Sequence, residues 1–169
     1  TRHCVKHNFL VKHVDGLADT IKKAFYLART GRPGPVVIDV AKDVTQALHK
    51  FCYPQEQPFI RSYQPIIHAH KGQIKKAVQL FALAKRPVVF FGGGIVLANA
   101  EEELRHWIQL TGVPCVSSLM GLGAYPASHP QFLGMVGMHG TYEANMAMQQ
   151  ADVVLALGVR FDDRVISVP

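Results

Sequence analysis

The sequence has no uninterrupted apolar run approaching the about 18 residues that a membrane-spanning helix needs, and its longest runs are strand-sized, such as Pro87 to Phe91. No membrane span is expected. It also lacks an initiator methionine and an apolar signal segment, because Thr1 to Lys12 mixes basic and polar residues. The expectation is an internal piece of a longer chain. Cysteine is scarce: Cys4, Cys52 and Cys115 are scattered and none forms a CxxC pair, which excludes a disulfide framework and a cysteine zinc site. A reducing cytoplasm fits. Histidine is frequent, yet no HxxxH pair falls on a predicted helix and His68 and His70 lie in a polar connector, so no metal site is expected.

Acidic residues are few in the first half, where residues 1–86 hold 15 Lys and Arg against 5 Asp and Glu, while residues 87–169 hold 3 against 7. A basic half can serve nucleic acid or an anionic cofactor. The aromatic platforms that single-strand binders interleave with their cations are missing, so no nucleic-acid partner is expected and a solvated surface is the simpler reading.

Periodic segments alternate in type along the chain. Asp15, read as an N-cap, precedes apolar residues at Leu17, Ile21, Ala24, Phe25 and Ala28, and Gly31 stands where a helix should stop, predicting a helix over about 15–30. After Arg32-Pro33-Gly34-Pro35, the apolar, β-branched run Pro35 to Val40 reads as a strand buried on both faces of a parallel sheet. From about 44 to 69 the pattern dissolves among Pro54, Pro58 and Pro65, which reads as a linker. Beyond it, helices are predicted over 71–85, 99–111 and 141–150, and strands over 87–91, 114–117 and 152–157. That rhythm predicts an α/β doubly wound parallel sheet, Rossmann-like, preceded by the tail of a second α/β domain.

Open α/β sheets bind ligands at the carboxyl ends of their strands. Gly92, Gly93 and Gly94 follow the strand at 87–91; they suit either a tight turn or a close backbone approach by a phosphate, and they are not a GxGxxG motif. Ser118, Leu119 and their glycine-rich continuation are apolar where a solvent loop would be polar, which fits a covering ring system, another subunit or a buried loop. The stretch from Leu133 to Tyr142 includes Val136, Gly137, Met138 and His139, a histidine open to either a structural or a catalytic role. Gly158, Val159, Arg160, Phe161, Asp162, Asp163 and Arg164 place two arginines and two acids at a strand end, where they could clamp an anion or form a surface cluster. Arg32, in its rigid turn, is a further candidate.

Five strings carry a family resemblance: GRPGPVVIDVAKDV at 31–44, PVVFFGGG at 87–94, SLMGLGAYP at 118–126, LGMVGMHGTYEANMAM at 133–148 and ADVVLALGVRFDDRV at 151–165. With KHNFLVK at 6–12 and HKGQIKKA at 70–77, they resemble the acetohydroxyacid (acetolactate) synthase large catalytic subunit, a thiamine-diphosphate-dependent family, nearly end to end. The resemblance implies that residues 1–45 end a pyrimidine-binding α/β domain, 46–69 form a linker, and 70–169 begin a central FAD-binding domain. It implies flavin contacts at Arg32, Gly92 to Gly94, Ser118, Leu119, Val136 to His139 and Gly158 to Asp162. Lys42, Asp163 and Arg164 would lie nearer the substrate channel, where the family's herbicides bind. Ser118 and Ala41 stand where members often carry Thr and Pro.

In such an enzyme, pyruvate is decarboxylated and its two-carbon unit joins a second 2-keto acid, giving 2-acetolactate or 2-aceto-2-hydroxybutyrate for valine, leucine and isoleucine. Thiamine diphosphate and Mg2+ serve the full-length parent through groups expected outside this chain, so the chain alone is expected to be inactive. The implied partners are further catalytic subunits, as a homodimer or tetramer, and a small regulatory subunit. The alternative is a non-catalytic FAD- or NAD-binding module of another flavoprotein or thiamine-diphosphate enzyme.

Overall fold

The computed structural model describes residues 2–165, and the chain divides between Ala69 and His70 into two compact units. Of the segments expected from sequence, Thr1 and residues 166–169 lie outside the described residues.

The first unit is a β-α-β arrangement. Strand β1, His7–Val11, runs parallel to β2, Val36–Val40, with His7 opposite Val36 and Val11 opposite Val40, and helix α1, Leu17–Arg29, makes the crossover. β1 was not expected, because its apolar Phe9, Leu10 and Val11 sit between polar neighbours and make too short a run to read locally. β2 lies where predicted but is not buried on both faces: Val36, Val37, Ile38 and Val40 are half-buried and Asp39 is exposed. Two strands under one helix cannot enclose both faces.

Asp15 does not cap α1. It lies in a 3-10 turn, Val14–Gly16, with its carboxylate 3.3 Å from His49, and Gly16 takes the cap position without a side-chain bond. The helix buries Ala24 and Leu27 and leaves Phe25 exposed, a stripe rotated from the one read in the sequence. Gly31, just past the helix, takes φ 57, the left-handed conformation that suits glycine at a helix end. A short helix, α2, spans Lys42–Gln46.

Residues 47–69 hold no helix or strand, yet they are fastened to α1 and to the residue before β1. Lys22 Nζ donates to the carbonyls of Pro54 at 2.5 Å and Glu56 at 2.9 Å, and lies 5.0 Å over the Tyr53 ring. Lys6 Nζ donates to Leu27 O at 2.5 Å, Thr30 O at 2.6 Å and the Tyr63 hydroxyl at 2.9 Å. An ammonium at a helix carboxyl terminus meets both the free carbonyls and the negative end of the dipole. Tyr63 donates in turn to Thr30 O at 2.6 Å.

The second unit is a four-stranded parallel sheet with strand order β5-β4-β3-β6, where β3 is Pro87–Phe91, β4 Cys115–Ser117, β5 Phe132–Met135 and β6 Val153–Leu157. Helix α3, Lys71–Leu83, precedes β3; α4, Gly93–Leu97, and α5, Glu101–Thr111, connect β3 to β4, and α6, Tyr142–Gln150, connects β5 to β6. The α/β doubly wound class follows from the core. Side chains alternate along β3, so Val89 and Phe91 pack with Ile95, Leu104 and Ile108 on one face, while Val88 and Phe90 pack with Val116, Val136 and Ala144 on the other. β3 is buried on both faces because neighbouring strands flank it and helices cover it.

The helix ends explain where the chain turns. α5 carries Glu101, Glu102 and Glu103 in its first turn and ends at Gly112 with φ 68. α6 starts at Thr141, whose hydroxyl accepts from Ala144 N at 3.2 Å. The helix predicted over 99–111 begins at 101, because Asn99 takes φ 51 and separates it from the unpredicted α4. β5 was also unpredicted: Phe132–Met135 includes Gly134 at φ 109 and reads locally as loop, and only pairing with β4 makes it a strand.

Candidate functional site

In a parallel sheet all carboxyl ends lie along one edge, so four of the segments singled out from sequence come together in the second unit. They are Gly92 to Gly94 after β3, Ser118 and Leu119 after β4, Val136 to His139 after β5, and Gly158 to Asp162 after β6. Their backbones interlock. Gly92 N donates to Leu157 O at 3.0 Å, Gly94 N to Gly158 O at 2.8 Å, Ser118 N to Phe91 O at 2.9 Å and Val136 N to Ser117 O at 2.9 Å.

The glycines permit that interlock. A β-carbon on Gly92 would stand 2.6 Å from Gly158 O, and one on Gly94 2.6 Å from Gly158 Cα. Gly93 faces Met120, whose Cβ would be 2.9 Å away. The triple glycine is therefore demanded by loop-on-loop packing even before a ligand is considered.

What this edge offers to solution is mixed. Leu119, Met138 and Phe161 are 66%, 67% and 56% exposed, and Met120 and Leu122 add to the apolar surface. Beside them, Arg160 Nη2 lies 2.9 Å from Asp162 Oδ2. Hydrogen bonding from Arg160, with its positive charge, holds the Asp162 carboxyl below the ordinary carboxylate value. Phe161 meets Phe90 edge-on, ring centroids 5.8 Å apart. Among the described residues, Ser117 Oγ and Asp162 Oδ1 are buried here without a hydrogen-bond partner. His139, Asp163 and Arg164 are exposed, and the Arg164 carbonyl accepts from Met138 N at 3.2 Å, tying the β5 loop to the β6 loop. An apolar surface next to a held guanidinium can take a ligand that is part ring system and part anion.

Arg32 and Lys42 belong to the first unit, Arg32 in the turn after α1 and Lys42 at the start of α2, and both are exposed. A cavity of about 480 Å³ in that unit, lined by Lys6, Phe9, Leu27, Phe59 and Tyr63 among others, contains neither. Met120 and Leu122 lie in the apolar loop that the sequence already singles out, and both are exposed, whereas Asn145, whose side chain pairs with Gly137, gave no sign of a role by itself. The glycine at 137 was the available signal: a left-handed residue in a loop needs something to hold it.

The sequence profile of the central domain of thiamine pyrophosphate enzymes matches residues 74–168. The acetolactate synthase large subunit of Haemophilus influenzae is 53% identical over 167 residues, covering 97% of this chain and 29% of that protein. The acetolactate synthase isozyme 3 large subunit of Escherichia coli is 53% identical over 165 residues, with the same two coverages of 97% and 29%. The acetolactate synthase of Mycobacterium leprae is 47% identical over 165 residues, covering 98% of this chain and 26% of its own length. The chain thus spans less than a third of the length of these relatives.

Proposed function

The chain belongs to the thiamine pyrophosphate enzyme family, matched through that family's central domain, and from this premise we propose that it serves the large catalytic subunit of an acetolactate synthase. In that role it contributes to decarboxylation of pyruvate and transfer of the two-carbon unit to a second 2-keto acid, in branched-chain amino-acid biosynthesis. The observation that carries the reading is the 53% identity extending over 167 residues, through both structural units. A non-catalytic FAD or NAD module of another flavoprotein would leave that identity unexplained.

The carboxyl edge is proposed to hold FAD. The exposed Leu119, Met138 and Phe161 suit its ring systems, and Arg160, steadied by Asp162, suits its anionic centre. FAD bound there would supply a dinucleotide scaffold with no net redox change. Ser118 and the Val136 to His139 and Gly158 to Asp162 segments would line it, and Arg32 is proposed as a flavin contact on the family resemblance alone. Lys42, Asp163 and Arg164 are proposed to serve the substrate channel. Thiamine diphosphate, when bound to the whole enzyme, supplies the electron sink for the decarboxylation. Among the described residues no group of three or more His, Cys, Asp or Glu is placed to hold a metal ion, so Mg2+ is not assigned to them.

The domain reading belongs to the same proposal: residues 1–45 close the pyrimidine-binding domain, 46–69 link, and 70–169 open the central domain. So do assembly of catalytic subunits as a homodimer or tetramer, a small regulatory subunit and a cytoplasmic setting. Among the described residues no helix is long and apolar enough to cross a membrane, and the three cysteines are free.

The test is to purify the full-length protein, assay acetolactate formation from pyruvate with thiamine diphosphate and Mg2+, and record its visible spectrum. Activity with a flavin band supports both parts; absence of product refutes the synthase reading. Arg160→Ala is expected to weaken flavin retention by about tenfold, the loss of one charge-assisted contact. Unchanged flavin content would remove Arg160 from the site.

A further inference from the structure

The loop after β5 presents Met138 and His139, and it is built around a residue that cannot hold its own conformation. Gly137 takes φ 104 and is buried. Glycine pays the largest conformational entropy for such a fixed left-handed position. One side chain meets both of its backbone groups. Asn145 Oδ1 accepts from Gly137 N at 2.9 Å, and Asn145 Nδ2 donates to Gly137 O at 3.1 Å. A carboxamide carries the same donor and acceptor as a peptide group, so it pairs with the loop as an adjacent strand would.

Asn145 is itself well anchored. It lies early in α6, whose cap residue Thr141 donates from Oγ1 to Leu133 O at 2.6 Å and from its amide to Met135 O at 2.9 Å. The clamp also reaches the next loop. A β-carbon on Gly137 would overlap the Arg164 carbonyl, and Met138 N donates to that same oxygen at 3.2 Å. The turn carrying Arg160, Phe161 and Asp162 is thereby mounted on the loop that Asn145 fixes.

We infer that Asn145, from beneath the carboxyl edge, is a positioning residue for the dinucleotide site: it touches no ligand but sets Met138 and His139, and through Arg164 the Arg160 turn, in binding geometry. This rests on the proposed FAD reading. Asn145→Ala removes both bonds and lets Gly137 sample other conformations. When only about a tenth of the molecules hold the binding geometry, apparent affinity falls by about tenfold. Asn145→Asp, of the same shape, keeps the acceptor but sets an oxygen against the Gly137 carbonyl, and a fall of similar size is expected.

The experiment uses the full-length protein freed of flavin and titrated with FAD by fluorescence. Visible circular dichroism of the bound flavin and thermal melting with and without FAD are recorded alongside. The expected result is an FAD dissociation constant raised about tenfold in both variants, with altered visible dichroism. A residue of purely structural importance would lower the melting temperature and leave the dissociation constant and dichroism as in the wild type, and that result overturns the inference. Asn145→Asp carries the test if Asn145→Ala does not fold. A wild-type protein that binds no FAD overturns the cofactor reading and this role together, whereas binding unchanged in the variants overturns this role alone.

Discussion

Replacing Gly158 by alanine tests whether the carboxyl-edge loops are held by backbone packed on backbone. Two costs add. Gly158 takes φ 61, and an L-residue in the left-handed region costs roughly 1–2 kcal/mol. The new β-carbon would stand 2.7 Å from Ile95 N and 2.8 Å from Gly94 Cα. Those atoms are main chain and cannot swing aside as a flexible side chain would, so overpacking adds roughly 1–3 kcal/mol. Gly112→Ala is the control. Gly112 has φ 68, but its nearest neighbour, Gln131 Nε2, would be 3.8 Å from the new atom, so only the conformational cost applies. The single tryptophan, Trp107, packs against Phe81 with ring centroids 5.0 Å apart in the second unit, so its fluorescence reports urea unfolding there. Gly158→Ala is expected to lose about 1–3 kcal/mol more than Gly112→Ala. Equal losses in the two variants would refute the packing account of the triple-glycine turn.

Two further predictions concern groups outside that edge. Asp152 accepts from the amides of Lys85 at 2.7 Å and Arg86 at 2.9 Å, and these two bonds lower its pKa from the ordinary 3.8. A carboxyl depressed on folding stabilises the native state above its unfolded value and loses that stabilisation as pH falls through the folded value. Urea unfolding of wild type and Asp152→Asn should therefore differ at neutral pH and converge in acid below about pH 4; a gap that persists unchanged in acid contradicts the assignment. Tyr63→Phe removes the hydroxyl that accepts from Lys6 and donates to Thr30 O, which is expected to free the 47–69 segment by about 1–2 kcal/mol and to speed tryptic cleavage at the exposed Arg61 by roughly tenfold. Cleavage at the wild-type rate would mean that the lysine and tyrosine clamp holds nothing.

How much of this was readable in advance depends on how local each cause is. Pro87 to Phe91 is a continuous apolar run, and such a run has one comfortable home, a strand covered on both faces. The helix at α1 likewise followed from apolar spacing and a stop glycine within the segment itself, although its buried stripe is rotated from the one read. Cap chemistry was less transparent: Asp15 had the right side chain for a cap, but the chain entered α1 through a 3-10 turn that left the carboxylate beside His49. β1 and β5 became strands because a partner strand completed their hydrogen bonds, and neither carries a long enough apolar pattern to announce that partner.

The candidate edge shows the same division. Composition and order already picked out the glycine turn, the Ser118 and Leu119 loop, the Met138 and His139 loop and the Arg160 turn, because strand ends in α/β sheets are where such residues collect. That they share one edge required the strand order β5-β4-β3-β6, which depends on pairings between residues far apart in the chain. The sequence by itself determined the parallel α/β class and the chemical character of the edge, since both are written in short-range patterns of apolar, glycine and charged residues. Tertiary structure alone decided that Gly158 fills the space beside Gly92 and Gly94, that Asn145 holds Gly137, and that Met138 is tied to Arg164. Those are contacts between main-chain atoms or with them, and main-chain atoms are the same at every position, so no residue type foretells where they will meet.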